Sequence, residues 1–190
     1  MDTKQTKTIG EHWAASELAR HGWAPAMTRD GLARTDILAL HTQTGRMIQV
    51  QVKTSMSDGS RTSWVLGTNA QLPAIADNEW FVLAAIPKDP TQPPRGFIAP
   101  RDHVAAAAWI SHMAWLTEPS VPPGQRNAGV ERSRVQGEVF AGYDGRWDQL
   151  TSPTTETSIL LPPAYHRLAL EQRVGLPPNH PWRDDMPHPW

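Results

Sequence analysis

The stretch 48–54, IQVQVKT, alternates strictly between apolar and polar residues. Because side chains along a β-strand point alternately to its two faces, Ile48, Val50 and Val52 are predicted to enter a core. The opposite face then carries the amides of Gln49 and Gln51 and the ammonium of Lys53, and it must meet water, a ligand or a partner. Taken alone, the pattern is also typical of an ordinary amphipathic strand on an open antiparallel sheet.

The segments around this strand predict a mixed fold. A helix is expected over 9–21, with Thr8 as its N-cap and Glu11 as the capping-box partner. Further helices are expected over 69–76, from Asp102 as N-cap to about residue 113, and over 143–150. Strands are predicted at 23–27, 36–40, 46–54, 80–86 and 96–99, with a turn at 28–31, a loop at 56–63 and a sheet edge at 64–66. The expected fold class is α/β (α+β), with a mixed central β-sheet flanked by helices.

Composition divides the chain in two. Residues 1–150 carry the periodic apolar segments and are predicted to form one domain. Residues 151–190 hold eight of the 18 prolines, so we expect a Pro-rich C-terminal extension, partly disordered or packed on the surface, with one short helix over 164–174.

Several classes of protein are excluded by composition. The absence of cysteine rules out disulfides, thiolate metal sites and cysteine nucleophiles. No apolar run suits a membrane span and no secretory signal is evident, so a cytoplasmic protein without a membrane partner is expected. With a net charge of −1, any nucleic-acid contact must come from a local basic patch. Walker A, dinucleotide-binding, HExxH and nucleophile-elbow motifs are missing.

Two carboxylates accompany the central strand. Asp36 opens the preceding strand, so it is expected to lie beside Gln51 across the pair, although it could simply cap the loop. Glu11 shares a face of the first helix with Ala15 and Leu18, and a carboxylate on an apolar stripe is costly without a cationic partner. Its capping-box role explains it equally well.

This combination resembles the PD-(D/E)XK nuclease superfamily, which has the restriction-endonuclease-like fold. The resemblance rests on Gly10-Glu11, Thr35-Asp36-Ile37 and the stretch 48–54, and it covers about residues 9–150. Thr35 replaces the family's proline and Gln51 its third acidic residue. The sequence is similar to the glutamine variant seen in some group I intron homing endonucleases and in small uncharacterised members.

The resemblance implies a Mg²⁺-dependent endonuclease acting on DNA phosphodiester bonds, with Mn²⁺ as an alternative ion. Catalytic roles would fall to Glu11, Asp36, Gln51 and Lys53. The metal would be held by Asp36, Gln51 and the Val52 backbone carbonyl, with Glu11 acting through a water. Lys53 would orient or deprotonate the attacking water and stabilise the developing charge. The neutral Gln51 should weaken metal binding.

DNA is the implied partner, and double-strand cleavage would call for a homodimer. Arginines and hydroxyl side chains near the site are candidates for phosphate contact, although each suits a solvated loop equally well. The foremost of these candidates are Arg29, Arg34, Thr54, Ser55, Ser57 and Arg61, and Lys4, Lys7 and Ser60 complete the set. Two other functions remain open: a catalytically decayed nuclease-fold module that binds DNA or a protein without cutting, and a small immunity or scaffold protein.

Overall fold

A computed structural model describes residues 2–28, 32–57, 62–122, 124–188 and 190. The helices are α1 (Thr3–Arg20), α2 (Arg101–Leu116) and α3 (Pro163–Leu170). The strands are β1 (Trp23–Met27), β2 (Ile37–His41), β3 (Met47–Ser57), β4 (Ser63–Val65), β5 (Glu79–Pro87), β6 (Arg95–Pro100) and β7 (Arg134–Gln136). A mixed five-stranded sheet has the order β1-β2-β3-β5-β6, in which β3 and β5 are parallel and the other neighbours antiparallel. The predicted mixed α/β class is confirmed.

The sheet separates two apolar cores. Along β5 every residue except the last is buried, and successive side chains enter opposite cores. Trp80 and Val82 pack with Val50 and Leu18 in the core beneath α1. Phe81 and Leu83 belong to the core that contains residues of α2. The alternation of stretch 48–54 is confirmed, because Ile48, Val50 and Val52 are all buried in the α1 core.

The first helix begins six residues earlier than the sequence predicts. Asp2 is its N-cap, accepting a hydrogen bond from the Lys4 N–H, and Thr8 lies inside the helix with its hydroxyl bonded to the Lys4 carbonyl. The assignment of Thr8 as N-cap, and of Glu11 as its capping-box partner, is therefore wrong. The polar residues before position 9 gave no apolar periodicity, so the cap at Asp2 was the only signal of the true start. Glu11 is a mid-helix residue.

Four other predicted elements differ from the structure. β3 continues to Ser57, because its second half pairs with β5 along its whole length. The loop predicted at 56–63 therefore begins two residues too early in the sequence-based prediction. β4 pairs with β7 in a separate two-stranded sheet and does not extend the main sheet. Segment 69–76 holds only a single 3₁₀ turn, Thr68–Ala70, in place of a helix. Segment 143–150 holds the end of one 3₁₀ segment and most of another, Gly137–Tyr143 and Trp147–Thr151.

The helix predicted from Asp102 starts at Arg101, with Pro100 as N-cap. The Asp102 carboxylate instead accepts a hydrogen bond from the Ala74 N–H, which holds the chain between the 3₁₀ turn and β5 against the start of α2.

The Pro-rich segment lies against α2. Val174, Leu176 and Trp182 are buried in the same core as Val104 of that helix. The imidazole of His180 is fully buried and is hydrogen-bonded to the Asp102 carbonyl oxygen at 3.0 Å. The helix expected over 164–174 is the shorter α3.

Among the described residues, no helix combines the length and the apolar character that crossing a membrane requires.

Candidate active site

One pocket of about 520 Å³ lies where α1 crosses the middle of β3. It is lined by all four residues to which the family resemblance assigned catalytic roles: Glu11, Asp36, Gln51 and Lys53. Val52, whose carbonyl was assigned to metal binding, also lines it. The side chains reach it from different sides: Glu11 comes from α1, while Gln51 and Lys53 belong to the other face of β3. They meet around the edge of β3 because β2 ends at Ile37 and leaves that edge open.

Asp36 makes the last two hydrogen bonds to β3 at this edge, one through its backbone and one through its carboxylate. Its N–H donates to the Val50 carbonyl at 2.9 Å, which continues the β2–β3 pairing one step beyond Ile37. Its carboxylate Oδ2 then accepts the next β3 amide, the N–H of Val52, at 2.8 Å. The N–H and C=O of one residue in an antiparallel strand point to the same side, so the Val52 carbonyl faces the same edge. Asp36 is thereby fixed in the lining of the pocket.

Glu11 and Asp36 form a pair of carboxylates. Burial and the neighbouring negative charge of Asp36 raise the pKa of Glu11 above its ordinary value, and Lys7 opposes that shift. The Lys7 ammonium lies 3.3 Å from Glu11 Oε1 and 3.7 Å from Asp36 Oδ1. Lys7 sits one turn before Glu11 on the same face of α1. An ammonium therefore bridges the two carboxylates.

Lys53 brings a second ammonium to the pocket. Its half-buried position lowers the pKa of the amine below its ordinary value; the Asp36 carboxylate opposes this shift, and the positive charges of Lys7 and Arg101 add to it. A lysine with a lowered pKa is better able to exchange a proton near neutral pH.

A buried arginine contacts Gln51 from the protein interior and does not itself line the pocket. Arg101 is 1% exposed and its Nε lies 2.7 Å from Glu79 Oε2. Its Nη2 donates to Gln51 Oε1 at 2.9 Å and to the Arg34 carbonyl at 2.9 Å. The guanidinium also lies 4.7 Å from the ring centroid of Phe81. Burial and the nearby Arg34 lower the pKa of Arg101 to about 10. The amide oxygen predicted to bind metal is thus already paired with a cation.

The predicted DNA contacts are placed in different surroundings. Arg34 donates to Glu79 at 3.0 Å and to the Pro73 carbonyl at 2.6 Å, so its guanidinium is held in an internal ion pair. Thr54 lines the pocket and packs against Gly10 of α1. Ser55 is half-buried in β3 and does not line it. Arg29, Ser60, Arg61 and the side chain of Ser57 lie outside the described residues.

The ligating oxygens in the pocket meet only part of what a divalent cation requires. Mg²⁺ is commonly held by one or two carboxylates together with waters and substrate phosphate, and Glu11 and Asp36 supply such a pair. The buried Oε1 of Glu11 already faces the Lys7 ammonium at 3.3 Å, so a metal ion would have to take the place of that ammonium. No cluster of three acidic or histidine ligands occurs within the described ranges. Binding of a metal ion would therefore depend on the two carboxylates together with water and the substrate phosphate.

Two residues of the site were not assigned to catalysis or metal binding from the sequence. Lys7 was detectable, because its i,i+4 spacing from Glu11 places both on one helix face once α1 is known to start at Thr3. Arg101 gave no signal, since a single arginine after a proline belongs to no motif and its partners are distant in sequence.

Comparisons with protein-family models, with curated proteins and with solved structures found no match.

Proposed function

We propose that the protein is a Mg²⁺-dependent endonuclease that hydrolyses DNA phosphodiester bonds, with a restriction-endonuclease-like core. The observation that carries the proposal is the convergence of Glu11, Asp36, Gln51 and Lys53 on one pocket. The order in which they occur also supports it: a helix bears the glutamate, the aspartate precedes β2, and the central strand β3 bears the glutamine and lysine.

In this proposal Asp36 and Glu11 would hold the divalent cation. When bound, such an ion lowers the pKa of a water and neutralises phosphate charge. Lys53 faces the same pocket, where its ammonium hydrogen-bonds to phosphate oxygen and stabilises the negative charge that develops during displacement. Its lowered pKa lets it exchange a proton with the attacking water. Lys7 must leave the two carboxylates for the ion to enter, which its 56% exposed side chain permits.

The test is cleavage of plasmid and branched DNA in Mg²⁺ or Mn²⁺. Asp36→Asn is the sharpest variant, because an amide oxygen can still accept the Val52 N–H while the charge is removed. We expect Asp36→Asn and Lys53→Ala each to abolish cleavage. Asp89→Asn and Lys88→Ala, on the exposed loop after β5, are the matched controls and should keep it. Cleavage that survives in both site variants would refute the proposal.

A second candidate function is a nuclease-fold module that binds DNA or a protein without cutting. The bridging ammonium of Lys7 and the guanidinium on Gln51 favour it, because both give the pocket internal cations in place of a metal. A thermal-shift titration with Mn²⁺ distinguishes the two candidate functions. Stabilisation of the wild type but not of Asp36→Asn supports a working metal site. No stabilisation of either protein supports the module.

The endonuclease proposal includes DNA as partner and a homodimer for cleavage of both strands. The mass of the protein on a duplex containing one cleavage site, measured by light scattering, distinguishes one bound copy from two.

A further inference from the structure

The amide of Gln51 has a defined orientation. Gln51 is buried, with 6% of its surface exposed, and its Oε1 accepts a hydrogen bond from Nη2 of Arg101 at 2.9 Å. A guanidinium has donors only, so the reverse orientation of the amide would set a donor against a donor. The chemistry of Arg101 therefore fixes which end of the amide is oxygen. The NH₂ group of Gln51 must point away from Arg101.

That NH₂ group faces the pocket. Gln51 lines the pocket, whereas Arg101 does not, so the side of the amide turned from Arg101 is the side the pocket meets. Within the described part of the chain, no acceptor takes a hydrogen bond from Gln51 Nε2, and this nitrogen is not among the buried atoms lacking a partner. Lys53 projects from the same face of β3, two residues further on. Two donors, one of them charged, thus stand side by side.

The same contact argues against a metal ligand at Gln51. An ion about 2.1 Å from Oε1 would lie within about 5 Å of the Arg101 nitrogen, and two cations at that distance in a half-buried site repel each other. Arg101 cannot withdraw easily, because it is also paired with Glu79 at 2.7 Å and bonded to the Arg34 carbonyl. The oxygen end of Gln51 is committed to the protein interior.

We propose that Gln51 is a substrate-binding donor: its NH₂ group, with the Lys53 ammonium, binds a non-bridging oxygen of a DNA phosphodiester. Arg101 is the positioning residue that orients this donor. The inference rests on the proposed function for its substrate, and it replaces the metal-ligand role that the family resemblance assigns to Gln51. With glutamine at position 51 in place of the family's acidic residue, this side of the pocket then binds an anion and not a cation.

The decisive variant is Gln51→Glu. Its carboxylate still accepts from Arg101, while the group facing the pocket changes from a donor to an anion. Gln49→Glu is the matched control, since Gln49 lies two residues earlier on the same face of β3, is half-buried and does not line the pocket. Its amide accepts a hydrogen bond from the Thr35 hydroxyl and donates one to Asn78, so neither end of it faces a phosphate in the pocket. Gln51→Met, which keeps the volume and loses the donor, covers the case in which Gln51→Glu fails to fold.

The measurements are binding of a labelled duplex oligonucleotide in EDTA, by fluorescence anisotropy, and Mn²⁺ binding by calorimetry. We expect Gln51→Glu to weaken duplex binding about tenfold or more relative to Gln49→Glu, since a charge-assisted hydrogen bond is replaced by repulsion. Gln51→Met should also weaken it. Mn²⁺ affinity should gain less than about threefold in Gln51→Glu, because Arg101 neutralises the new charge.

Tighter Mn²⁺ binding by tenfold or more in Gln51→Glu, or duplex binding equal to that of Gln49→Glu, would overturn the inference and leave the nuclease proposal standing. A wild type that binds duplex through Gln51 in EDTA yet never cuts DNA would overturn the nuclease and leave this inference standing. A wild type that binds no duplex in EDTA overturns this inference, and a wild type that also cuts no DNA in Mg²⁺ or Mn²⁺ overturns the nuclease as well.

Discussion

The ammonium of Lys7 lies 3.3 Å from Oε1 of Glu11, one turn further along α1. It is also 3.7 Å from Asp36, so it occupies the approach to both carboxylates. The pocket therefore carries its own counter-ion, and any divalent cation must compete with it. This competition leads to the first prediction.

Replacing Lys7 by Met should tighten Mn²⁺ binding several-fold, because the carboxylates lose the cation that screens them. Without metal the same variant should unfold at a lower temperature, since like charges then face each other. Calorimetry and thermal unfolding measure the two effects. Lys4→Met, on the exposed part of α1 outside the pocket, is the control. Equal Mn²⁺ affinity in wild type and Lys7→Met would contradict the competition.

Glu11→Gln should stabilise the metal-free protein at pH 7.5. Because the folded state raises the pKa of Glu11, the ionised form costs stability, and that cost is present above the folded pKa. The stabilisation should disappear as the pH falls below 4.5, where the carboxyl is protonated in both states. Urea unfolding at pH 7.5 and pH 4 gives the comparison. Glu17→Gln, which removes an exposed pair with Arg20, should show no such gain. A Glu11→Gln protein less stable than wild type at pH 7.5 would refute the prediction.

Arg101→Met should destabilise the fold by about 3–5 kcal/mol, because Glu79 is left buried without its closest cation. The double variant Arg101→Met, Glu79→Gln should recover part of the loss. Arg95→Met, which breaks an exposed pair with Asp144, should cost less than about 1 kcal/mol. Urea unfolding of all three proteins provides the measurement. Equal losses for Arg101 and Arg95 would show that burial of the pair has no energetic consequence.

Gly10→Ala should destabilise the protein, although the same change in an exposed helix stabilises by about 1 kcal/mol. A Cβ at residue 10 would overlap Oγ1 of Thr54, so α1 and β3 would have to separate, at a cost of about 1–3 kcal/mol. Ser16→Ala, at an exposed position of α1, is the control and should not destabilise. A more stable Gly10→Ala protein would mean that α1 does not approach β3 this closely.

Stability should fall as the pH drops from 6.5 to 5. Burial, assisted by the nearby His180, lowers the pKa of His103 to about 3, so the folded state keeps this imidazole neutral while the unfolded chain protonates it near pH 6.5. The free energy of unfolding should lose up to about 1.4 kcal/mol per pH unit through this residue. His103→Gln should flatten that slope, and the exposed His12→Gln should not. The slope comes from urea titrations at several pH values.

Local patterns predicted much of the fold and part of the site. The alternation of 48–54 correctly assigned the buried face of β3, because burial of apolar side chains decides the register of a strand. The start of α1 was missed because its first turns are polar. The orientation of Gln51 was beyond prediction, since it depends on Arg101, a residue that tertiary folding alone brings within hydrogen-bonding distance.

The parallel pairing of β3 with β5 also governs when the site can form during folding. Gln51 lies opposite Phe81, whose ring supports Arg101, and these residues come together only after the chain between Ser57 and Glu79 has closed a long loop. Non-local parallel pairings form slowly, because the entropy of loop closure is lost before the contacts are gained. The two carboxylates and β3 lie within the first 57 residues, whereas the guanidinium that orients the Gln51 amide belongs to α2, so the pocket is complete only once α2 has packed against the sheet.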